Sequence, residues 1–172
     1  IRIVNEEGKE VEVGQIGTIE LKGENIFKGY WGMEEKTKES FRDDGFFITG
    51  DLAKKDENGY FTIVGRDKDM IISGGLNVYP KEIEDVINEL PNITESAVFG
   101  VQHDDFGEAV VAAVVTTDDK NDGSQILDYT KDKIAKYKQP KKIIFMSNLP
   151  RNSMGKVQKN KLRENNKSLF KS

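Results

Sequence analysis

Residues 73–90 read SGGLNVYPKEIEDVINEL, and the fold class turns on this stretch. Ser73-Gly74-Gly75-Leu76-Asn77 is a loop signal. Pro80 stands where a helix starts, because its fixed φ suits the first helical position and its missing N–H would have no intrahelical partner there. Ile83, Val86, Ile87 and Leu90 then recur at i, i+3, i+4 and i+7, which predicts a helix with one apolar face. Ahead of the loop, Lys68–Ser73 is a β-like run. Beyond the helix, Ser96–Val101 and Ala109–Thr116 are nearly continuous apolar runs, suited to a sheet covered on at least one face. A second helix is predicted from Ser124 to about Tyr137, with Ser124 placed to cap it and Ile126, Ile134 and Tyr137 on one side. Pro140 ends it, Lys142–Met146 reads as a strand, and Gln158–Phe170 as a terminal helix. From about residue 69 onward the pattern is therefore a small α+β unit of three strands and three helices.

Working back toward the start, the first 66 residues read as short strands cut by turns: Ile1–Val4, Gly17–Gly23, Phe46–Ile48, Leu52–Asp56 and Tyr60–Val64. Glu57-Asn58-Gly59 is a hairpin signal, since Asn and Gly tolerate the positive φ of tight turns. One helix, Glu34–Phe41, interrupts the strands. The chain opens inside an expected strand, without Met, and reads as the tail of a longer protein.

Composition narrows the chemistry. The 172 residues include 26 Lys+Arg and 30 Asp+Glu, are 36% hydrophobic, and contain no Cys. Thiol nucleophiles, disulfides and cysteine-ligated zinc are excluded. His103 is the only histidine, which leaves Ser-His-Asp chemistry and multi-histidine metal sites little to stand on. No apolar run approaches the roughly 20 residues of a membrane helix, and no signal-peptide layout opens the chain. The expectation is a soluble, unexported, cytoplasmic protein. Charge is uneven: Lys131–Ser172 holds 13 Lys+Arg against Asp132 and Glu164, while the first 130 residues carry 13 against 28 acids. A basic last quarter suits an anionic ligand or a solvated surface. Nucleic acid is poorly supported, with only Tyr137, Phe145 and Phe170 interleaved and no signature of a nucleic-acid module.

Four segments carry candidate chemistry. Asp51, after Thr49-Gly50 at a strand end, is either a turn residue or a carboxylate able to accept hydrogen bonds from a ribose diol, with Arg66 as a fork of donors to the same sugar. Gly65-Arg66-Asp67-Lys68-Asp69, at the change of composition, is either a solvated linker or a hinge. Ser73-Gly74-Gly75 is either an ordinary turn or a place where backbone passes close to a ligand with no Cβ in the way. Leu149–Lys159 holds Gly155-Lys156 but lacks the Gly at 150 and the Ser or Thr at 157 that a phosphate loop needs, so that reading fails. What stays is a lysine on a glycine-hinged loop before a helix, able to reach an anion. His103-Asp104-Asp105 is too sparse for a metal site.

Taken together and in order, these segments, with Gly29-Tyr30-Trp31, resemble the closing motifs of the adenylate-forming superfamily of acyl-CoA synthetases, luciferases and peptide-synthetase adenylation domains. The wording of residues 73–84 and 149–159 is most similar to malonyl-CoA synthetases and related acyl-CoA synthetases. One departure is Gln102, where family members often carry Pro. The resemblance implies that residues 1–67 are the β-rich C-terminal end of a large AMP-binding domain, truncated at its start. It implies that 68–172 are a small mobile C-terminal domain. It implies the conversion of carboxylate, ATP and CoA to acyl-CoA, AMP and pyrophosphate. By motif, Asp51 and Arg66 would hold the AMP ribose, Lys68 would be the hinge, and Lys156 would be the catalytic lysine of adenylation. Ser73, Gly74 and Gly75 would line the path of the CoA pantetheine arm. Mg2+ would accompany ATP, with its protein ligand, the phosphate loop and most of the acyl pocket upstream of Ile1. This chain alone is expected to be inactive. The alternatives are a non-catalytic nucleotide- or CoA-binding module and, more remotely, a nucleic-acid-binding domain.

Overall fold

A computed structural model describes residues 1–118 and 122–171. The chain divides into two compact units, Ile1–Lys68 and Asp69–Ser172.

The first unit is a four-stranded antiparallel sheet in the order β1 (Arg2–Val4), β2 (Ile16–Leu21), β3 (Phe47–Lys55), β4 (Phe61–Arg66), with helix α1 at Glu34–Glu39. The two strands expected over 46–56 are one, β3. Gly50 keeps the strand continuous by adopting φ +71°, a region open to glycine at no steric cost, and a register shift at Leu52/Ala53 takes up the irregularity. The expected hairpin turn closes β3 onto β4. Asp56 Oδ1 accepts from the amides of Asn58 (2.9 Å) and Tyr60 (2.8 Å). Glu20 is fully buried in this sheet, and its carboxylate accepts from Arg2 Nε and Arg42 Nε, each at 2.8 Å. A buried carboxylate needs such partners to offset its lost hydration. Phe27, Tyr30, Phe41 and Phe47 form a chain of ring contacts with centroids 5.0–5.8 Å apart.

The second unit is α+β, with five strands where three were expected: β5 (Ile71–Ser73), β6 (Leu76–Val78), β7 (Ile93–His103), β8 (Gly107–Thr116) and β9 (Lys142–Phe145). The order is β6-β5-β8-β7, with β9 pairing parallel to β8 along Val111–Val114. β5 ends the β-like run expected at Lys68–Ser73, and β6 arises because Ser73–Asn77 is not an open loop. Ser73 pairs with Leu76, and Gly74 and Gly75 form a two-residue turn with φ of +59° and +77°. Positive φ at both central positions is the twist that lets so short a turn join antiparallel strands. Lys68 and Asp69, expected to begin the strand, lie instead in the 3-10 turn Asp67–Asp69.

Both faces of this sheet are buried, which explains the unbroken apolar runs. Along β7 and β8, Val98, Val110, Ala112 and Val114 pack with Ile83 and Ile87 of helix α2 (Pro80–Ile87) and Ile126 of helix α3 (Ser124–Lys131). The alternate residues Ala97, Phe99, Val111 and Ala113 pack with Leu149 and with Leu162 of helix α4 (Lys159–Asn165). Side chains of a strand alternate between faces, so a sheet covered twice needs apolar residues at every position.

Two helix expectations are corrected. Helix α3 stops at Lys131, well before Pro140: Thr130 accepts from the amide of Ile134, its own hydroxyl donates to Leu127 O, and the resulting bend returns Ile134 to the core. Its N-cap is Gly123, not Ser124. Asp122 Oδ1 accepts from the Ser124 hydroxyl (2.6 Å) and amide (2.9 Å), and these bonds hold the Asp122 carboxyl below its ordinary range. Helix α4 is also shorter than expected, ending at Asn165.

Candidate functional site

Asp51 and Arg66 are brought together by the β3–β4 register, in which they are direct cross-strand partners. Arg66 Nε lies 3.0 Å from Asp51 Oδ1, with both side chains partly open to solvent. The Asp51 amide donates to Thr49 Oγ1 (3.0 Å), whose hydroxyl donates to Ile19 O (2.9 Å). Thr49 thus ties the approach to Asp51 to the neighbouring strand. The pair offers a carboxylate acceptor beside a guanidinium donor, chemistry suited to vicinal hydroxyls and to anions. Lys68 is exposed in the 3-10 turn Asp67–Asp69, where the division between the two units falls.

In the second unit Ser73 is buried while Gly74 and Gly75 stand exposed at the hairpin tip. No atom lies within 4 Å of where either glycine would carry a Cβ. The Gly74 amide donates to Phe106 O (2.8 Å), and Ser73 pairs with Gly107, so the tip is fastened to the β7–β8 turn.

Lys156 sits on a second hairpin of the same unit. Arg151 bridges to Val157, and Gly155 takes φ +77°. The glycine-hinged loop of the sequence reading is a closed turn. Asn152 Oδ1 accepts from the amides of Met154 (3.0 Å) and Lys156 (2.9 Å), and the Asn152 amide donates to Lys156 O (3.0 Å). Arg151 Nη1 donates to Gly155 O (2.6 Å), and its Nη2 pairs with Glu95 of β7. Just beyond, Lys159 Nζ reaches Glu84 Oε1 of α2 (2.6 Å) with both side chains largely buried. The Lys156 side chain is exposed. Its ammonium makes no ion pair among those of the described residues. Sequence reasoning passed over Asn152, Arg151, Glu95 and Glu84. Of these, only Asn152, three residues before Gly155, carried a local signal, the tendency of Asn to bond backbone two or more residues on.

No cluster of three His, Cys, Asp or Glu capable of holding a metal occurs among the described residues, and no helix there is long and apolar enough to cross a membrane.

The second unit thus presents an exposed lysine on a closed turn after a Pro-started helix and two long strands. Residues 82–156 match the AMP-binding enzyme C-terminal domain, and the chain carries that domain. Its homologues are acyl-CoA ligases. It is 41% identical over 95% of its length to an indoleacetate–CoA ligase of Aromatoleum aromaticum, covering 32% of that protein. It is 45% identical over 86% of its length to the long-chain-fatty-acid–CoA ligase FadD13 of Mycobacterium tuberculosis, covering 29%. Among solved structures, ATP-bound MatB from Rhodopseudomonas palustris superposes with a TM-score of 0.93 at 57% identity, over 99% of this chain and 34% of that one. The chain spans about a third of the length of these relatives.

Proposed function

We propose that this chain is the C-terminal region of an ATP-dependent acyl-CoA synthetase that activates malonate or a related short acid. The observation that carries the reading is the 57% identity to an ATP-bound enzyme over 99% of the chain. The narrower substrate assignment is supported by the wording of residues 73–84 and 149–159, and by lower identity to the ligases for indoleacetate and long-chain acids.

In this reading a carboxylate oxygen attacks the α-phosphorus of ATP, a new P–O bond forms, and pyrophosphate leaves. The CoA thiol, losing its proton, then attacks the acyl carbon and AMP leaves. Asp51 accepts hydrogen bonds from the ribose hydroxyls, and Arg66 both orients Asp51 and donates to the nucleotide. Lys156 brings a positive charge to the α-phosphate as negative charge builds there, the kind of electrostatic help that dominates such transfers. Lys68 is the hinge between half-reactions, and Ser73, Gly74 and Gly75 border the pantetheine arm. Mg2+ would accompany ATP in this reading, with its protein ligand in the N-terminal domain of the intact enzyme. Because the chain spans only about a third of its relatives' length, it has no synthetase activity by itself in this reading. A cytoplasmic location, where ATP and CoA are supplied, goes with this reading.

Lys156→Ala in the intact enzyme tests the proposal. Carboxylate-dependent pyrophosphate release should fall by about 10²–10³, the loss seen on removing a comparable charge-stabilising donor. Undiminished release would overturn the reading. Malonate, methylmalonate, acetate and a medium-chain acid, each with ATP and CoA, separate the substrate classes.

A further inference from the structure

The backbone around Lys156 is held at three atoms. Its amide donates to Asn152 Oδ1 (2.9 Å), its carbonyl accepts from the Asn152 amide (3.0 Å), and the preceding carbonyl, Gly155 O, accepts from Arg151 Nη1 (2.6 Å). The other arm of the Arg151 guanidinium pairs with Glu95. Glu95 lies on β7, whose partner along the register is Val115 of β8, so the turn is anchored to the most deeply buried strands of the unit. A planar guanidinium with two arms fixes direction as well as distance. Gly155 at φ +77° completes the turn without strain.

We infer that Asn152 and Arg151 are positioning residues: they fix the Cα of Lys156 in place, so that only its side chain needs ordering when the ammonium meets its anion. This rests on the proposed role of Lys156. Ordering a flexible group at the reacting centre raises the barrier, and a misplacement of about 1 Å can cost roughly 100-fold in rate. Asn152 carries most of the hold, because its side chain and amide together bind Lys156 on both sides. Arg151 ties the turn to the sheet through Glu95.

The test is a set of variants in the intact enzyme, read by carboxylate-dependent pyrophosphate release, by thioester formation from preformed acyl-adenylate and CoA, and by hydrogen exchange at the Lys156 amide. Asn152→Ala should slow adenylation by about 10–100-fold, mainly in kcat, leave thioester formation within about twofold, and speed exchange at Lys156. Asn152→Asp retains the acceptor oxygen and should recover most of the loss. Arg151→Gln should act in the same direction, and it decides the matter if Asn152→Ala does not fold. Added to Lys156→Ala, Asn152→Ala should cost nothing further, whereas general structural damage would multiply the two losses. Adenylation within twofold of wild type in both single variants, or multiplied losses in the double variant, would overturn the positioning role. Undiminished adenylation in Lys156→Ala alone would instead refute the function on which it rests.

Discussion

Replacing Glu84 should loosen the second unit by an amount that separates its charge from its hydrogen bond. Glu84 and Lys159 are only 14% and 16% exposed, with Nζ and Oε1 2.6 Å apart. The same oxygen accepts from the amide of Val98 at 2.8 Å, and Val98 is fully buried. Glu84→Ala leaves a buried amide without its acceptor, about 1–3 kcal/mol, and strips a largely buried ammonium of its partner, a loss that reaches about 3–5 kcal/mol when the charge cannot escape. Because Lys159 stands at the start of α4 and can turn toward water, the two effects overlap, and we expect about 3 kcal/mol in all. Glu84→Gln keeps an oxygen for Val98 and loses only the charge, about 1 kcal/mol. Trp31, the one tryptophan, lies in the first unit, so its fluorescence does not follow this change. Amide hydrogen exchange at Val98, Val110 and Val111 does. At about 1.36 kcal/mol per factor of ten, Glu84→Ala should accelerate exchange roughly 100-fold and Glu84→Gln roughly fivefold. Exchange within threefold of wild type in Glu84→Ala would refute the reasoning. Equal acceleration in both variants would assign the whole effect to charge.

Three further outcomes are expected. Hydrogen bonds from Lys133 and then Tyr129 hold the Glu89 carboxyl below its ordinary range; a depressed carboxyl pKa stabilises above the unfolded value, and that stability is lost as pH falls through the folded one. Protection of α3 amides should therefore drop on acidification below the ordinary carboxylate range, and Glu89→Gln should flatten that dependence; an unchanged acid profile in the variant would count against the link. Gly17→Ala places a Cβ 2.4 Å from Val4 O, so β1 must move; urea denaturation of the first unit, followed by amide hydrogen exchange along β2, should show a loss of about 1–3 kcal/mol, and an unshifted midpoint would contradict it. Lys68→Pro in the intact enzyme should impair thioester formation more than adenylation, because a fixed φ at a hinge blocks one of its two arrangements; equal losses in single-turnover assays of the two half-reactions would rule out a hinge there.

The candidate site was legible in part. Asp51, Arg66 and Lys156 each stood beside a local cue, a turn glycine or a composition change, and the order of the motifs carried the resemblance. The Thr49 bond to Ile19, the grip of Asn152 on Lys156 and the pairing of Arg151 with Glu95 were not legible. Each depends on a partner brought close by strand register or by a turn conformation that no periodicity encodes.

The local outcomes follow from the order of the residues alone: the start of α2 at Pro80, its apolar face of Ile83 and Ile87, the turn at Gly59, and the apolar runs of β7 and β8. These follow from steric limits on single residues and from which side chains avoid water, both readable along the chain. Packing in three dimensions selects the Gly74-Gly75 hairpin that enlarges the sheet to five strands, the parallel joining of β9 to β8, and the break in α3 that buries Ile134. It alone decided that Glu20 lies buried between Arg2 and Arg42. Those outcomes depend on groups distant in sequence meeting in a shared interior, where the cost of an unpaired charge or an unfilled space selects among conformations that are locally equivalent.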